Sequence, residues 1–219
     1  MGTIVITGAN RGIGLELAKG YQQRGENVIA LCRNSSPELE GIGCRIETGI
    51  DVSSPHLDDL GHRVNEATID VLINNAGIMR RNALEDLDLM TMREQYEVNS
   101  LAPLRVTAAL MDRLSEGSKV AMVTSRMGSI ADNDSGSHYG YRMSKAALNM
   151  GTKSLSLDLS PRGIAVCVLH PGWVRTDMTR GNGLIDADES AAGLMARIDG
   201  LTMENTGSFW HSNGDELPW

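Results

Sequence analysis

A chain of 219 residues with 41% hydrophobic content is long enough to bury the core of one large α/β domain, and nothing in its composition marks a second. A net charge of −8, with no block of Lys or Arg, argues against nucleic acid or an anionic membrane surface as a partner. The cysteines Cys32, Cys44 and Cys167 show neither metal-ligand spacing nor a disulfide framework. No apolar run is long enough to span a bilayer and no signal-peptide pattern precedes the first strand, so the cytoplasm is the expected location.

Thr3-Ile4-Val5-Ile6 is a short apolar run that ends in Thr7-Gly8-Ala9-Asn10-Arg11-Gly12-Ile13-Gly14. Leu15, Leu17, Ala18 and Tyr21 then recur at helical spacing, and Gly25 closes the pattern. Strand, glycine turn and helix in this order form a phosphate cradle. Glycine allows a tight turn and close approach, and the helix N-terminus offers free N–H groups and a positive dipole end. The spacing is Gly-x-x-x-Gly-x-Gly, which differs from the commoner Gly-x-Gly-x-x-Gly.

Asn27 to Cys32 reads as the second strand, with Arg33 after it. Dinucleotide-binding sheets that prefer NAD place an acid at this point to bind the ribose 2′-hydroxyl, whereas an Arg suits a 2′-phosphate. The acid is missing here. Arg33, with Arg11 in the glycine turn as a second cation, favours NADP(H) over NAD(H). Arg45 to Ile50 reads as a third strand ending at Asp51-Val52, and Ser53-Ser54-Pro55 as a helix start.

Asp70 to Ile73 reads as a fourth strand, followed by the small residues Asn74-Asn75-Ala76-Gly77, against which a cofactor ring can lie. A helical pattern then runs from about Leu89 to Leu114 and contains Asn99, an unfavourable residue for a helix interior and a candidate for bending it. Lys119 to Val123 is a fifth strand that delivers Ser125 to its C-terminal end, where ligands bind in open α/β sheets.

Tyr141 and Lys145 follow on a helix expected to run to about Leu159 and to stop at Pro161-Arg162-Gly163. Four-residue spacing puts both side chains on one helix face, where an ammonium is expected to lower the phenol pKa. Ile164 to Leu169 is a sixth strand ending in His170-Pro171-Gly172, a small helix is expected around 188–198, and Thr206 to Trp210 reads as a last strand. Strands and helices alternate throughout, so the expected fold is a single α/β domain with a doubly wound parallel sheet.

Over essentially its whole length the chain resembles the short-chain dehydrogenase/reductase family. The resemblance rests on Thr7 to Gly14, Asp51-Val52, Asn74 to Gly77, the ordered set Asn99, Ser125, Tyr141 and Lys145, and Pro171-Gly172 with Thr176. More narrowly, Tyr141 to Met150, His170 to Val174 and the Pro218-Trp219 ending resemble the branch that contains C-factor and the sniffer carbonyl reductases.

The resemblance implies catalytic roles for Asn99, Ser125, Tyr141 and Lys145. It implies cofactor contacts from Gly8, Asn10, Arg11, Gly12, Ile13, Gly14, Arg33, Asp51, Val52, Asn75, Ala76, Gly77, Tyr141, Lys145, Pro171, Gly172, Val174 and Thr176, with no metal. In that scheme NADPH gives hydride to a small-molecule carbonyl substrate, Tyr141 gives the proton, Ser125 steadies the oxygen, and Asn99 holds a water that relays protons to Lys145. A cofactor-binding signalling protein with little turnover is the other function class the C-factor resemblance allows.

Two features depart from the family pattern. The loop between Ser125 and Tyr141 is longer and carries Asp132 and Asp134, and the segment after Gly172 is short with few large apolar residues. The helices around Asn99 and Tyr141 also carry apolar residues such as Ala102, Leu104, Ala108, Ala147, Met150 and Leu155 beyond what one sheet face covers. A homodimer or homotetramer through these helices is therefore expected.

Overall fold

The computed structural model describes residues 1–65 and 68–219. Seven strands form one parallel sheet in the order β3-β2-β1-β4-β5-β6-β7. They are β1 Thr3–Thr7, β2 Asn27–Leu31, β3 Arg45–Glu47, β4 Val71–Asn74, β5 Lys119–Val123, β6 Ala165–His170 and β7 Ser208–His211. Chain order reverses between β1 and β4. Their adjacent C-terminal ends therefore open a crevice, the place where ligands bind in such sheets.

Side-chain alternation along the strands builds two cores. Ile4, Ile6, Val28 and Ala30 face α1 (Gly12–Gln23) and α7 (Ala187–Asp199), packing with Leu17, Ala18, Leu194 and Ile198. Val5, Ile29, Leu72, Val120 and Met122 face the other way, toward Val106, Leu110, Leu148 and Leu159. Both faces are covered, which is why the strands read as apolar runs with no polar alternation.

The expected helix from Leu89 to Leu114 is divided. It comprises α4 (Leu89–Tyr96), a π-helical turn over Glu97–Leu101, α5 (Ala102–Ala109) and a 3₁₀ turn over Met111–Arg113. Pro103 supplies the reason. It has no N–H for the carbonyl four residues back, which is that of Asn99, and its ring clashes with that carbonyl in a regular α-helix. The wider turn, with Ala102 N–H donating to Glu97 O, avoids the clash.

Ser53-Ser54-Pro55 does not start a helix. Ser53 turns back on Asp51, with its N–H and hydroxyl donating to Asp51 Oδ1 at 3.0 and 2.7 Å, and α3 begins only at Leu60 (Leu60–Val64). The third strand ends three residues earlier than expected, before Gly49 takes φ +73°. A short helix, α2 (Pro37–Glu40), escapes the periodicity reading. Ser36 caps it, accepting from Leu39 N–H. The last long helix, α6, spans Tyr139–Leu159 and ends through Ser160–Arg162 at Gly163, φ +67°. No helix among the described residues is long and apolar enough to cross a membrane.

Candidate active site

The glycine turn and the end of β4 are built as one unit. Thr7 Oγ1 accepts from the N–H groups of Asn75 and Ala76 at 3.0 and 3.1 Å, and Asn75 Nδ2 donates back to the carbonyls of Thr7 and Gly8. Two glycines are obligatory by geometry. Gly8 sits at φ +66° against Ala76, and a Cβ on Gly14 would lie 2.3 Å from Gly8 O and 2.5 Å from Asn75 Nδ2. Ile13 packs against the core beside this turn, and Asn10 lends its carbonyl to Ser36 Oγ at 2.8 Å.

The N-terminus of α1 has no side-chain cap and no acid in its first turn. Its leading N–H groups, those of Gly12, Ile13 and Gly14 among them, thus lack intrahelical partners and point at the crevice. This donor set suits a pyrophosphate. The segment after β6 closes the far side: a Cβ on Gly12 would lie 3.5 Å from Thr176 Cγ2, and Arg11 pairs with Asp177 at 3.4 Å. Both charges of that pair are exposed, so the contact is weak and exchangeable for a ligand phosphate.

At the C-terminal end of β2, Arg33 is exposed. Asp51 is held below the usual carboxylate range, chiefly by the hydrogen bond from Ser53, with a smaller contribution from Arg33. Val52 is half-buried beside it. Arg33 and Asp51 therefore lie on the same rim, at the C-terminal end of β2. The uncapped start of α1, with Arg11 and Arg33 beside it, fits a dinucleotide.

Ser125 follows β5 and opens a 3₁₀ turn, its Oγ accepting from Met127 N–H at 3.1 Å. That turn rests directly on α6, since a Cβ on Gly128 would lie 2.7 Å from the Lys145 backbone. The contact brings Ser125 against Tyr141. Tyr141, Lys145, Asn99 and Ser125 are all buried, Asn99 completely. Lys145 Nζ donates to Val123 O at 3.0 Å and stands 5.9 Å from the centre of the Tyr141 ring.

The charges differ from the sequence expectation. Burial pushes the Tyr141 phenol up to about 12, partly offset by the hydrogen bond with Ser125, and burial pushes the Lys145 ammonium down to about 8. The ammonium is committed to the Val123 carbonyl, and both groups lose more by desolvation than they gain from each other.

Asn99 uses both of its amide hydrogens and its amide oxygen. Nδ2 donates to Ile78 O at 2.8 Å and Ser144 Oγ at 3.0 Å, and Oδ1 accepts from Ile78 N–H at 2.8 Å. Gly77 makes room between Asn99 and Lys145: a Cβ there would lie 3.2 Å from Asn99 Oδ1 and 3.6 Å from Lys145 Nζ.

After β6, Pro171 is anchored by Ser190 and Ser212, whose hydroxyls donate to its carbonyl at 2.7 and 3.1 Å. Gly172 takes φ +91°, and buried Val174 bridges Ile185, folding the segment back on itself. Gly183 is essential to that fold, since a Cβ on it would lie 2.5 Å from Arg175 N. The few large apolar side chains of this segment, Trp173, Met178 and Leu184, are exposed.

Sequence reading also missed Gln95 and Asn82. Both press on Gly140, where a Cβ would lie 2.5 Å from Gln95 Nε2 and 2.7 Å from Asn82 Oδ1. The glycine directly before Tyr141 was the signal. Among the described residues no three His, Cys, Asp or Glu side chains gather as metal ligands.

The family model described as short chain dehydrogenase matches residues 2–184. Among curated relatives, "1-hydroxy-2-glutathionyl-2-methyl-3-butene dehydrogenase" of Rhodococcus sp. (strain AD45) is 41% identical, covering 100% of both chains. "C-signal" of Myxococcus xanthus is 49% identical over 69% of this chain and 93% of its own. Among solved structures, the carbonyl reductase Sniffer of D. melanogaster superposes with a TM-score of 0.92 at 30% identity, covering 100% of both chains. A carbonyl reductase from Pseudomonas aeruginosa PAO1 in complex with NADP gives 0.87 at 35% identity, again over 100% of both. With the glycine turn, the buried Ser125, Tyr141 and Lys145 and this full-length similarity together, the chain belongs to the short-chain dehydrogenase/reductase family of NAD(P)-dependent oxidoreductases.

Proposed function

We propose that the protein reduces a ketone, aldehyde or quinone-like carbonyl to an alcohol, with NADP(H) preferred over NAD(H). The observation that carries this reading is the convergence of Ser125, Tyr141 and Lys145, all buried, beside the uncapped N-terminus of α1. The reduced nicotinamide, when bound, supplies hydride to the carbonyl carbon. Tyr141 holds its proton firmly up to about pH 12 in the free protein, and so presents a neutral O–H as donor to the substrate oxygen. Ser125 donates to the same oxygen and stabilises the charge that develops there. Lys145 binds the nicotinamide ribose. Its proximity to the phenol lowers the barrier to proton loss once a ligand draws the ammonium from Val123.

Proton resupply runs through Asn99. Both amide hydrogens of its side chain are taken by Ile78 and Ser144, and Pro103 offers no N–H to its main-chain carbonyl, which leaves that carbonyl able to accept from a relay water. Gly77 leaves the path to Lys145 open.

The NADP preference is supported by Arg33 and Arg11 in place of an acid and by the NADP complex of the Pseudomonas relative. Arg33→Asp is expected to weaken NADPH binding by about tenfold or more and to erode the preference, since a charge-assisted hydrogen bond to phosphate contributes roughly 1.5–3 kcal/mol. Fluorescence titration with NADPH and NADH checks it, and equal affinities in the unaltered protein would count against the assignment.

NADPH oxidation with a panel of quinones, diketones and aromatic aldehydes tests the reaction. Turnover supports it. Tight NADPH binding with no turnover on any carbonyl favours the second reading, a cofactor-binding signalling protein, which the similarity to C-signal keeps in play.

A further inference from the structure

The end of β5 meets α6 through consecutive residues. Val123 O accepts from Lys145 Nζ at 3.0 Å, and the Ser125 hydroxyl hydrogen-bonds the Tyr141 phenol. Between them, Thr124 Oγ1 donates to Asn149 Oδ1 at 2.7 Å. Tyr141, Lys145 and Asn149 follow one another at four-residue spacing along α6, which stacks them on one helix face. Thr124 and Asn149 are both buried, as are the residues on either side of the contact.

In the proposed reaction the two outer contacts are temporary. Lys145 leaves Val123 for the nicotinamide ribose, and the Ser125 hydroxyl turns to the substrate oxygen. The bond between Thr124 and Asn149 takes no part in the chemistry and persists through both changes. Neighbouring contacts do a different job. Thr124 N–H donates to Leu169 O at 2.8 Å, which ties β5 to β6 within the sheet, and Gly128 meets the Lys145 backbone by packing.

Stability alone does not account for the pair. Asn149 Nδ2 is buried with no partner among the described residues, whereas an apolar pair of the same shape would leave no donor unpaired. A hydrogen bond fixes an angle as well as a separation, and apolar packing fixes only the separation.

We infer that Thr124 and Asn149 are positioning residues for the carbonyl reduction: their hydrogen bond holds the end of β5 on α6 and keeps Ser125 Oγ at donor distance from the substrate oxygen once Lys145 has released Val123. The inference rests on the reductase reading for its chemistry.

Reduction of phenanthrenequinone by NADPH tests it. Thr124→Val and Asn149→Leu are each expected to lower kcat by about tenfold, since a small misplacement of a catalytic group is costly, while NADPH affinity stays within about threefold. The double variant should be no slower than either single one, because both remove the same bond. Thr124→Ser keeps the hydroxyl and should restore most of kcat. Thr152→Val is the control: its buried hydroxyl donates to Leu148 O within α6 at 2.7 Å, so its loss should lower the melting temperature and leave kcat unchanged. A merely structural role would make Thr124→Val behave like Thr152→Val, and effects that multiply in the double variant would show independent sites. Either result overturns the inference. Thr124→Val is isosteric and decides the matter with Thr124→Ser should Asn149→Leu fail to fold.

Hydrogen exchange on the NADP⁺-loaded protein reads the same positioning without turnover. Met127 N–H donates to Ser125 Oγ at 3.1 Å and Gly128 N–H to Ser125 O at 2.8 Å, so both amides report where Ser125 is held. Relative to the amides of β1, they should exchange several-fold faster in Thr124→Val and Asn149→Leu and at the parent rate in Thr152→Val. Faster exchange upholds the positioning role even where the quinone is not reduced, a result that sinks the reductase reading alone. Unchanged exchange overturns the role of Thr124 and Asn149 whatever the activity.

Discussion

Tyr141 and Lys145 pay opposite penalties for burial. The phenol is pushed up to about 12 and the ammonium down to about 8, from ordinary values of 10.0 and 10.5. The Lys145 shift is a stability statement. Between pH 8 and 10.5 the unfolded chain binds this proton and the folded chain does not, so its contribution to stability rises with pH across that window. Below pH 8 both states bind the proton and the full penalty stands. Lys145→Met removes the penalty together with the hydrogen bond to Val123 O, so its stability relative to the parent is expected to be highest near pH 7 and to fall as pH rises from 8 toward 10.5. Urea unfolding of both proteins from pH 7 to pH 10 measures the difference. Cys167 and Tyr21, raised by burial, act the other way above pH 9 but cancel between the two proteins. A pH-independent gap would mean that the ammonium is well solvated. Tyr141→Phe addresses the chemistry itself. Loss of the hydroxyl should reduce carbonyl reduction by roughly 10²-fold or more while leaving NADPH affinity within about threefold. Steady-state rates and a binding titration decide it, and retention of most of the activity would remove Tyr141 as proton donor.

At the scale of elements, the site is an assembly of turn against turn. The first glycine turn fits only because Gly14 has no side chain: its Cβ would enter the space of Gly8 O and the Asn75 amide, both of which hold the end of β4. Gly14→Ala should therefore destabilise the fold by about 1–3 kcal/mol, as overpacking does, and weaken dinucleotide binding more than tenfold by pushing the turn out of register. Thermal unfolding with and without NADPH separates the two effects. The ligand-induced rise in melting temperature at a fixed NADPH concentration should shrink in the variant and persist in Gly25→Ala. Gly25 lies at the other end of α1, where nothing stands within 4 Å of a Cβ and only the φ of +79° opposes a side chain. The π-turn after α4 belongs to the same scale. Pro103 forces it, and it places the Asn99 amide on Ile78 and Ser144, tying the segment after β4 to α6.

For the molecule as a whole, α4 and α6 leave large apolar side chains exposed. Leu89, Met90 and Tyr96 of α4 and Met143, Met150 and Leu157 of α6 are exposed, and Leu89, Tyr96 and Met143 line a groove of about 400 Å³ between the two helices, together with Arg93 and Glu97. The composition of this face differs from the sequence expectation. Ala102 is fully buried within its own chain and Leu155 packs on the core, while Met143 turns outward to the groove. An apolar stripe shared by two helices suits a self-complementary interface across a two-fold axis. The protein is expected to run as a homodimer or homotetramer at micromolar concentration. Light scattering that returns a single mass near 23.6 kDa would refute this.

The parallel sheet and the glycine turn were legible from residue type and spacing, because those features follow from local backbone chemistry and hydrophobic period, whereas the set Asn99, Ser125, Tyr141 and Lys145 was implied by the family resemblance. The helix that carries Tyr141 and Lys145 on one face was legible too, since a four-residue interval has the same meaning in any α-helix. The break at Glu97–Leu101 was within reach of the sequence through Pro103, although the helical period masked it. The pKa order of Tyr141 and Lys145, the commitment of the ammonium to Val123, the hold of Gln95 on the Arg80 N–H and the burial of Ala102 were beyond it. Each depends on which atoms distant parts of the chain bring within a few ångströms, and desolvation and hydrogen-bond competition are decided only there.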